Sequence, residues 1–175
     1  MFLPLLPQGG DPMAGAGEML FPDLGDGEDG CRITSVPGLT ENSAIFKLQK
    51  DDGTPSKVPI LILEVRAQEG GDRASPIEAL CRNYAEQILP LMGTDAQANT
   101  VLPAVGMEVV GHRFRVHALY FKDNVQSELL SEDQFPDQLT AQMVPHSIRQ
   151  PAETMARLKR LCHNLCEQMA PYAED

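Results

Sequence analysis

Apolar and polar positions first define two neighbouring runs that predict β-strands. The run Ser43–Gln49 alternates between apolar and polar residues, and the run Val58–Arg66 is apolar at nearly every position until its end. Between them, Asp51–Lys57 contains an Asp-Gly pair and a proline, which favour a turn. We therefore expect an antiparallel hairpin whose second strand lies centrally in a sheet covered on both faces.

The next pattern has helical spacing. Ser75 suits an N-cap, Pro76 suits the first helical position, and Glu78 stands where a capping box places its acidic residue. The positions that recur every three or four residues are Ile77, Leu80, Cys81, Tyr84 and Ile88. This spacing predicts an amphipathic helix from Ser75 to Pro90 that packs its apolar face on the sheet.

The second half of the chain repeats this organisation. Two runs rich in β-branched or aromatic residues, Thr100–Val109 and His112–Phe121, meet at a glycine and predict a second hairpin. Residues 123–147 have no clear period. A final helix is predicted from about Ala152 to Met169, with an inner face formed by Met155, Leu158, Cys162, Leu165 and Met169.

Strands interrupted by helices in this order predict an α/β fold. We expect a three-layer sandwich with a central mixed sheet of four to five strands flanked by helices. The domain is expected to span residues 31–175. Residues 1–30 are rich in Gly and Pro and hold six acidic residues and no basic one. Such a segment buries too little apolar surface to offset its ordering entropy, so we expect a disordered tail, with a short docking turn possible at Glu18–Phe21.

Charge and composition narrow the function classes. The formal net charge of −11 argues against a surface built mainly for nucleic acid, although a local basic patch is compatible with it. No apolar run approaches the ~20 residues of a membrane span, and the opening residues lack the basic region of a signal peptide. We therefore expect an intracellular protein, cytoplasmic or nuclear, with reduced cysteines and no membrane contact.

The end of the second strand carries the chemistry of interest. Glu64 and Arg66 are two residues apart, so their side chains point to the same face of the strand. One interpretation is a solvated ion pair at a strand end. The other is the edge of an active site, or what remains of one.

Here the sequence resembles a known family. A hairpin whose second strand ends in Glu-x-Lys, followed by a helix and another strand, is the core of the PD-(D/E)XK nuclease superfamily, the restriction-endonuclease-like fold. ILILEVR resembles the strand with that motif, and GGDRASPIEALCRNYAEQI is similar to the loop and helix that follow it in fungal members. The resemblance covers roughly Ser43–Phe121 and the closing helix.

The resemblance implies a set of candidate site residues. Glu64 takes the acidic position of the motif and Arg66 the lysine position, while Glu78 and Tyr84 on the helix would support the site. An active member would use Mg²⁺, held by Glu64 and a second carboxylate, to activate water and neutralise developing charge. Arg66 keeps a positive charge but cannot give up its proton, so it is a poor substitute for lysine in proton transfer.

The second carboxylate of the motif is missing from its expected place. A loop centred between Gly53 and Thr54 sets Ser43 opposite Glu64, with Asn42 adjacent and Glu41 as the nearest acid. Asp51 and Asp52 lie at the other end of the hairpin, about 20–25 Å away at ~3.3 Å per residue. The sequence therefore favours a domain that has lost nuclease activity.

Other candidate sites have weaker patterns. Cys162, His163 and Cys166 are close on a helix, but zinc sites favour ligands from turns of two segments, and Cys162 lies on the apolar face. His112 and His117 have no nucleophile placed beside them by the sequence. Arg113–Arg115 and Arg157–Arg160 are short basic clusters typical of solvated faces.

Two functions remain open at this point. The first is a catalytically degenerate nuclease-like domain that serves as an interaction or regulatory module, with a protein partner favoured over nucleic acid and no cofactor. The second is an active Mg²⁺-dependent nuclease that cleaves phosphodiester bonds of DNA or RNA, takes Glu64 as a metal ligand and recruits Glu41, Glu78 or another acid as the second.

Overall fold

A computed structural model describes residues 32–67, 74–92, 102–134 and 145–173. They form one six-stranded mixed sheet and two long helices. The strands are β1 (Ile33–Pro37), β2 (Ser43–Gln49), β3 (Pro55–Arg66), β4 (Ala104–Val110), β5 (Arg113–Lys122) and β6 (Asn124–Gln134), and the helices are α1 (Pro76–Ile88) and α2 (Pro145–Met169). The expected tail, residues 1–30, lies outside the described residues.

The sheet follows the order of the chain. Its strand order is β1-β2-β3-β4-β5-β6, and every neighbouring pair is antiparallel except β3 and β4, which are parallel. A parallel pair needs a crossover connection, and α1 lies in that connection. The α/β class and the mixed sheet are thus confirmed.

The first predicted hairpin is confirmed together with its register. β2 and β3 pair antiparallel, and Ser43 stands opposite Glu64. Gly53 in the connecting turn has a φ of +84°, a conformation that glycine adopts without steric cost. β3 begins at Pro55, earlier than predicted, and register shifts beyond Phe46 accommodate the extra residues.

Each helix covers one face of the sheet. A side chain at Gly106 of β4 would meet Leu80 of α1 at 3.1 Å, so α1 lies over the face to which position 106 points. The Thr154 hydroxyl of α2 donates to Asp133 at 2.8 Å. Asp133 pairs with Phe114 of β5, which in turn pairs with Val109 of β4. Val109 is three residues from Gly106, and side chains alternate along a strand, so Asp133 points to the opposite face of the sheet. Helix, sheet and helix therefore form three layers.

The apolar faces predicted for the helices largely match the core. Leu80, Tyr84 and Ile88 of α1 are buried, whereas Ile77 and Cys81 are half-buried. On α2 the buried members of the predicted face are Leu158, Cys162, Leu165 and Met169. The capping box of Ser75 and Glu78 and the proline at the start of α1 are present as predicted.

The expected sheet of four to five strands was too small. β1 and β6 add the two edge strands, and neither has a strong apolar alternation, because an edge strand buries less of its surface. Residues 124–134 of the unpatterned stretch form β6, which is joined to β5 by Asp123 with a φ of 63°. α2 begins at Pro145, before the predicted Ala152.

Candidate functional site

Glu64 lies where β3 ends, on the face of the sheet covered by α1. Its side chain is completely buried, with 0% of the residue exposed. A buried carboxylate must be hydrogen-bonded or paired with a cation to remain charged. Each of its two oxygens faces protein donors, and these donors come from three different segments of the chain.

One carboxylate oxygen of Glu64 is paired with the neighbouring arginine. The Nε of Arg66 donates to Oε1 at 2.9 Å, and Nη1 of the same guanidinium donates to the carbonyl of Ala74 at 2.5 Å. The side chain of Arg66 is 13% exposed. Arg66 thus links the end of β3 to the residue before the N-cap of α1. The ion pair of Glu64 and Arg66 is partly desolvated, not the solvated pair that is one interpretation of the sequence.

Hydroxyl groups hold the other carboxylate oxygen. Ser43 Oγ donates to Oε2 of Glu64 at 2.5 Å, and Thr40 Oγ1 lies 2.6 Å from Ser43 Oγ and 3.4 Å from Oε2. A carboxylate only accepts, so the single hydroxyl proton of Ser43 goes to Glu64 and Thr40 donates in turn to Ser43. Both oxygens of Glu64 are therefore occupied by hydrogen bonds from the protein.

Asn83 extends this network onto α1. Its side chain is fully buried, and Nδ2 donates to Ser43 Oγ at 3.2 Å and to the Ala79 carbonyl at 2.9 Å. Its Oδ1 accepts from the backbone of Leu39 at 2.8 Å. A Cβ at Gly38 would come within 2.7 Å of that Oδ1 and 2.3 Å of the Ser43 Cβ. Only glycine allows the loop before β2 to approach α1 so closely.

A cleft of about 460 Å³ opens above this network. It lies between the loop before β2 and the first turns of α1. The cleft is lined by Leu39, Thr40, Glu41, Asn42, Glu64, Arg66, Ala74, Ala79, Arg82 and Asn83. Of the candidate residues from the sequence, the structure thus brings Glu64, Arg66, Asn42 and Glu41 together, with Ser43 directly beneath them.

A second buried carboxylate, Glu108, lies beside Glu64. The two residues are register partners on the parallel strands β3 and β4, so both side chains point to the α1 face. Glu108 Oε1 is 3.1 Å from His117 Nε2 and 3.3 Å from Arg115 Nη1. Burial raises the pKa of Glu108, but the hydrogen bonds from His117 and Arg115 outweigh it and hold the pKa below its usual value.

This set of donors does not fit a Mg²⁺ site. Magnesium needs a near-octahedral set of oxygen ligands, usually one or two carboxylates and several waters, so a ligating carboxylate must have an oxygen directed at the ion. Both oxygens of Glu64 already accept hydrogen bonds, and Oε1 of Glu108 faces two basic side chains. Within the described parts of the chain, no group of three or more His, Cys, Asp or Glu side chains is placed to hold a metal ion.

Glu78 and Tyr84 are not among the residues that line the cleft. Glu78 is exposed, and its carboxylate accepts from the backbone of Ser75 at 2.8 Å, as a capping box requires. Tyr84 is fully buried and donates to the Leu102 carbonyl at 2.8 Å, and burial raises the pKa of its hydroxyl. The geometry gives both residues structural contacts, in the helix cap and in the core.

The weaker candidates are also held in local contacts. Cys162 and Cys166 are buried in the core, and burial raises the pKa of Cys162 to about 12. His163 lies 3.4 Å from Glu167 on the exposed side of the same helix. Asp52 accepts from the backbone and hydroxyl of Thr54 in the turn between β2 and β3, far from Glu64.

Comparison with known proteins adds no relative. No protein-family model matches the chain, and neither a curated protein nor a solved structure matches it significantly. None of the helices in the described regions is long and apolar enough to cross a membrane.

Sequence reasoning missed Thr40, Asn83 and Glu108. Glu108 had a visible signal, because the run AVGMEVV places one acid inside an apolar strand in the same way that LILEVR does. Asn83 stands on the helix side that faces the sheet, and a polar residue at such a position needs a buried partner. Thr40 lies in a loop, where the sequence has no period to interpret.

Proposed function

We propose that this chain is a catalytically degenerate PD-(D/E)XK nuclease-like domain that serves as an interaction or regulatory module. The order of elements supports the proposal. A β2-β3 hairpin ending in Glu64-x-Arg66 is followed by α1 and then by β4, the order of elements expected from the resemblance. The site residues support the loss of activity.

The observation that supports the loss of activity is that the protein itself balances the charge of Glu64. Arg66 and Ser43 occupy the two carboxylate oxygens, and Ser43 stands at the position opposite Glu64 where a second metal-binding carboxylate is expected. An active site of this class would instead keep carboxylates unpaired and mutually repelling until Mg²⁺ arrived, because such strain is stored for function. Because protein groups already balance its charge, Glu64 does not require a metal ion.

The alternative is an active Mg²⁺-dependent nuclease, and Glu108 is the observation that favours it. Glu108 stands in register beside Glu64 at the same ends of two parallel strands, so it is the acid best placed to serve as a second ligand. This alternative requires Glu64 to leave Arg66 and Ser43, and Glu108 to leave Arg115 and His117, before either binds metal. Glu41 lines the cleft but is exposed.

A nuclease assay separates the two functions. The full chain is incubated with single- and double-stranded DNA and RNA in Mg²⁺ or Mn²⁺, beside the variant Glu64→Gln, which preserves the shape of the side chain. We expect no cleavage above background from either protein. Metal-dependent cleavage by the natural chain that is lost in Glu64→Gln would establish the alternative.

Restoring the motif tests the resemblance itself. The double variant Ser43→Asp/Arg66→Lys supplies the missing carboxylate and the missing lysine, and Ser43→Asn/Arg66→Lys is the matched control without the carboxylate. If the domain descends from the nuclease architecture, only the first variant should gain saturable Mg²⁺ binding by calorimetry. A folded Ser43→Asp/Arg66→Lys protein without Mg²⁺ binding would argue against this assignment of Ser43 and Arg66.

A further inference from the structure

The two edges of the sheet differ in how far they are protected against pairing with a further strand. β1 has five residues and ends in Pro37, and short strands and prolines keep an edge from pairing. β6 has eleven residues and contains neither proline nor lysine. Within the residues that the structure describes, β5 is the single strand paired with β6, so the outer edge of β6 has no strand partner there. This edge can therefore accept an added strand.

The pairing of β6 with β5 divides β6 into a regular part and a bulge. Partners run without a break from Asn124 to Leu129, and the register then shifts, so Leu130 is an extra residue before Ser131. Leu129 and Leu130 are 51% and 48% exposed. Because a bulge bends its strand and disrupts the ladder, an added strand would pair along the regular part that precedes it.

Apolar surface at this edge lies on the α1 face of the sheet. Leu129 pairs with His117 of β5, which pairs with Gly106 of β4, the position that α1 covers. Val125 lies four residues before Leu129 and so points to the same face. Val125 and Cys81 of α1 are only half-buried where they pack against the core. A strand added to β6 would cover more of this apolar surface.

We propose that the added strand is β6 of a second copy of this chain, paired antiparallel about a two-fold axis at Ser127. The sequence around Ser127 is Val-Gln-Ser-Glu-Leu, which has the same order of apolar and polar positions in both directions. In this register Val125 lies opposite Leu129 of the second copy, and Gln126 lies opposite Glu128. The two-fold axis makes each of these pairs occur twice.

Charge and chain geometry select this register over its neighbours. An axis at Glu128 would set that carboxylate against its own copy, which is destabilising. An axis at Gln126 would set Leu129 against Asp123 in the turn before β6 and lose the apolar pair. An axis at Leu129 would put the bulge inside the paired region. The axis at Ser127 avoids all three problems.

The polar pair is compatible with the hydrogen bonds that these side chains already make. Gln126 Nε2 donates to Asn124 Oδ1, and the same nitrogen has a second hydrogen to donate. Glu128 is exposed, and an ionised carboxylate accepts hydrogen bonds at both oxygens. Gln126 of each copy can therefore donate to Glu128 of the other.

The other acids of β6 lie beyond the bulge and are held within the same chain. Glu132 is 3.5 Å from Arg113 and 3.3 Å from Arg115, and Asp133 accepts from Thr154 at 2.8 Å. They do not lie in the paired region, so the register at Ser127 sets no acid opposite another acid.

This inference goes beyond the proposed function and does not depend on the state of Glu64. β6 is three strands from β3, about 14 Å at ~4.8 Å per strand. No residue of β6 lines the cleft. Pairing of two β6 strands would join two domains into one continuous sheet, and each domain would keep its own cleft.

Sedimentation velocity of the full chain over a concentration series tests the pairing. We expect an equilibrium between monomer and dimer. Leu129→Lys sets a charge opposite Val125 of the second copy and should raise the dimer Kd at least ~10-fold, since lysine keeps edge strands apart. Leu89→Lys is the matched control, because Leu89 is 55% exposed at the end of α1, and it should leave the dimer Kd unchanged.

Opposite substitutions at one position test the register. Because Gln126 faces Glu128 of the second copy, Gln126→Lys should lower the dimer Kd and Gln126→Glu should raise it. Each change should be about 2–30-fold, because the cross-strand pair occurs twice. Gln126→Glu/Glu128→Lys should restore the dimer. The controls are Gln134→Lys and Gln134→Glu, at an exposed position beyond the bulge, and neither should change the Kd.

Three results would overturn the proposal. A natural chain that remains monomeric at ~1 mM would show that the edge does not pair. A dimer that Leu129→Lys leaves intact would assign the association to another face. Equal effects of Gln126→Lys and Gln126→Glu would contradict the register at Ser127. Unchanged amide shifts of the buried residues Leu80 and Ile62 verify that each variant is folded.

Discussion

Glu64 and Glu108 are register partners on one sheet face, yet the protein stabilises their charges in different ways. Glu64 is held by one arginine, by the Ser43 hydroxyl and, through Ser43, by a second hydroxyl and a buried amide, and it borders an open cleft. Glu108 is held by Arg115 and His117 from a single neighbouring strand, and Arg115 is shared with the exposed Glu132. The difference shows that burial alone does not identify an acid as part of a site. The segments of the chain from which its hydrogen-bond partners come are also needed.

The contrast has a structural consequence. The hydrogen-bond network around Glu64 connects the loop before β2, β2, β3 and α1, so it fixes four segments relative to one another. The partners of Glu108 come only from β5, which β4 already pairs along its length. Glu64 should therefore matter more to the shape of the cleft, and Glu108 more to local charge balance.

The largest expected effect is that of Glu64→Ala. An exposed ion pair contributes only about 0–1 kcal/mol, but Glu64 is fully buried. Removing one member of a buried pair leaves the other without compensation and costs about 3–5 kcal/mol. Urea denaturation measures this loss, with the exposed Glu86→Ala as control. A loss below about 1 kcal/mol would show that the network is not cooperative.

Leu80→Ala provides the apolar reference for the same sheet face. Leu80 is fully buried and packs against the position of Gly106 in β4. Truncation of such a side chain costs about 2–5 kcal/mol through lost burial and the cavity left behind. Leu89, which is 55% exposed, is the matched control and should change by less than about 0.5 kcal/mol when replaced by alanine. Equal losses in the two variants would contradict the packing of α1.

A smaller effect is expected for Glu108→Gln, and it should depend on pH. The pKa of Glu108 lies below its ordinary value of 4.5 in the folded protein, so ionisation stabilises the fold above that pH. This contribution is lost as pH falls through the lowered pKa. Near neutral pH, the free energy of unfolding of the natural chain should exceed that of Glu108→Gln by about 1–3 kcal/mol, which is the contribution of hydrogen bonds to charged groups.

The comparison is made by urea denaturation at a series of pH values. The difference in unfolding free energy between the two proteins should remain constant above pH 4.5 and shrink below it. A difference that grows on acidification would mean that Glu108 is protonated in the fold and would reverse the assignment of its partners.

Local patterns in the sequence predicted the central fold well. The turn at Asp51–Lys57 and the apolar run after it determined the hairpin and even the pairing of Ser43 with Glu64. The capping box determined the start of α1. β1 and β6 were missed because edge strands have weak periodicity, although each pairs with its neighbour in the chain.

The site was predictable only in part. The spacing of Glu64 and Arg66 indicated that they share a face, and their bond at 2.9 Å confirms the pair. The position of Asn83 beneath Ser43 depends on the angle at which α1 crosses the sheet. The position of Glu108 beside Glu64 depends on the register of the parallel strands β3 and β4. Neither the crossing angle nor the register is encoded in a local pattern.

The balance of the Glu64 charge by the protein itself is tested most directly by thermal unfolding of the natural chain with and without Mg²⁺. A ligand that binds only the folded state raises the melting temperature, by an amount that grows with the logarithm of the ligand concentration above its Kd. Because Arg66 and Ser43 already satisfy Glu64, we expect no change in melting temperature, and none in Glu64→Gln. A clear Mg²⁺-dependent rise that disappears in Glu64→Gln would contradict this account and identify Glu64 as a metal ligand.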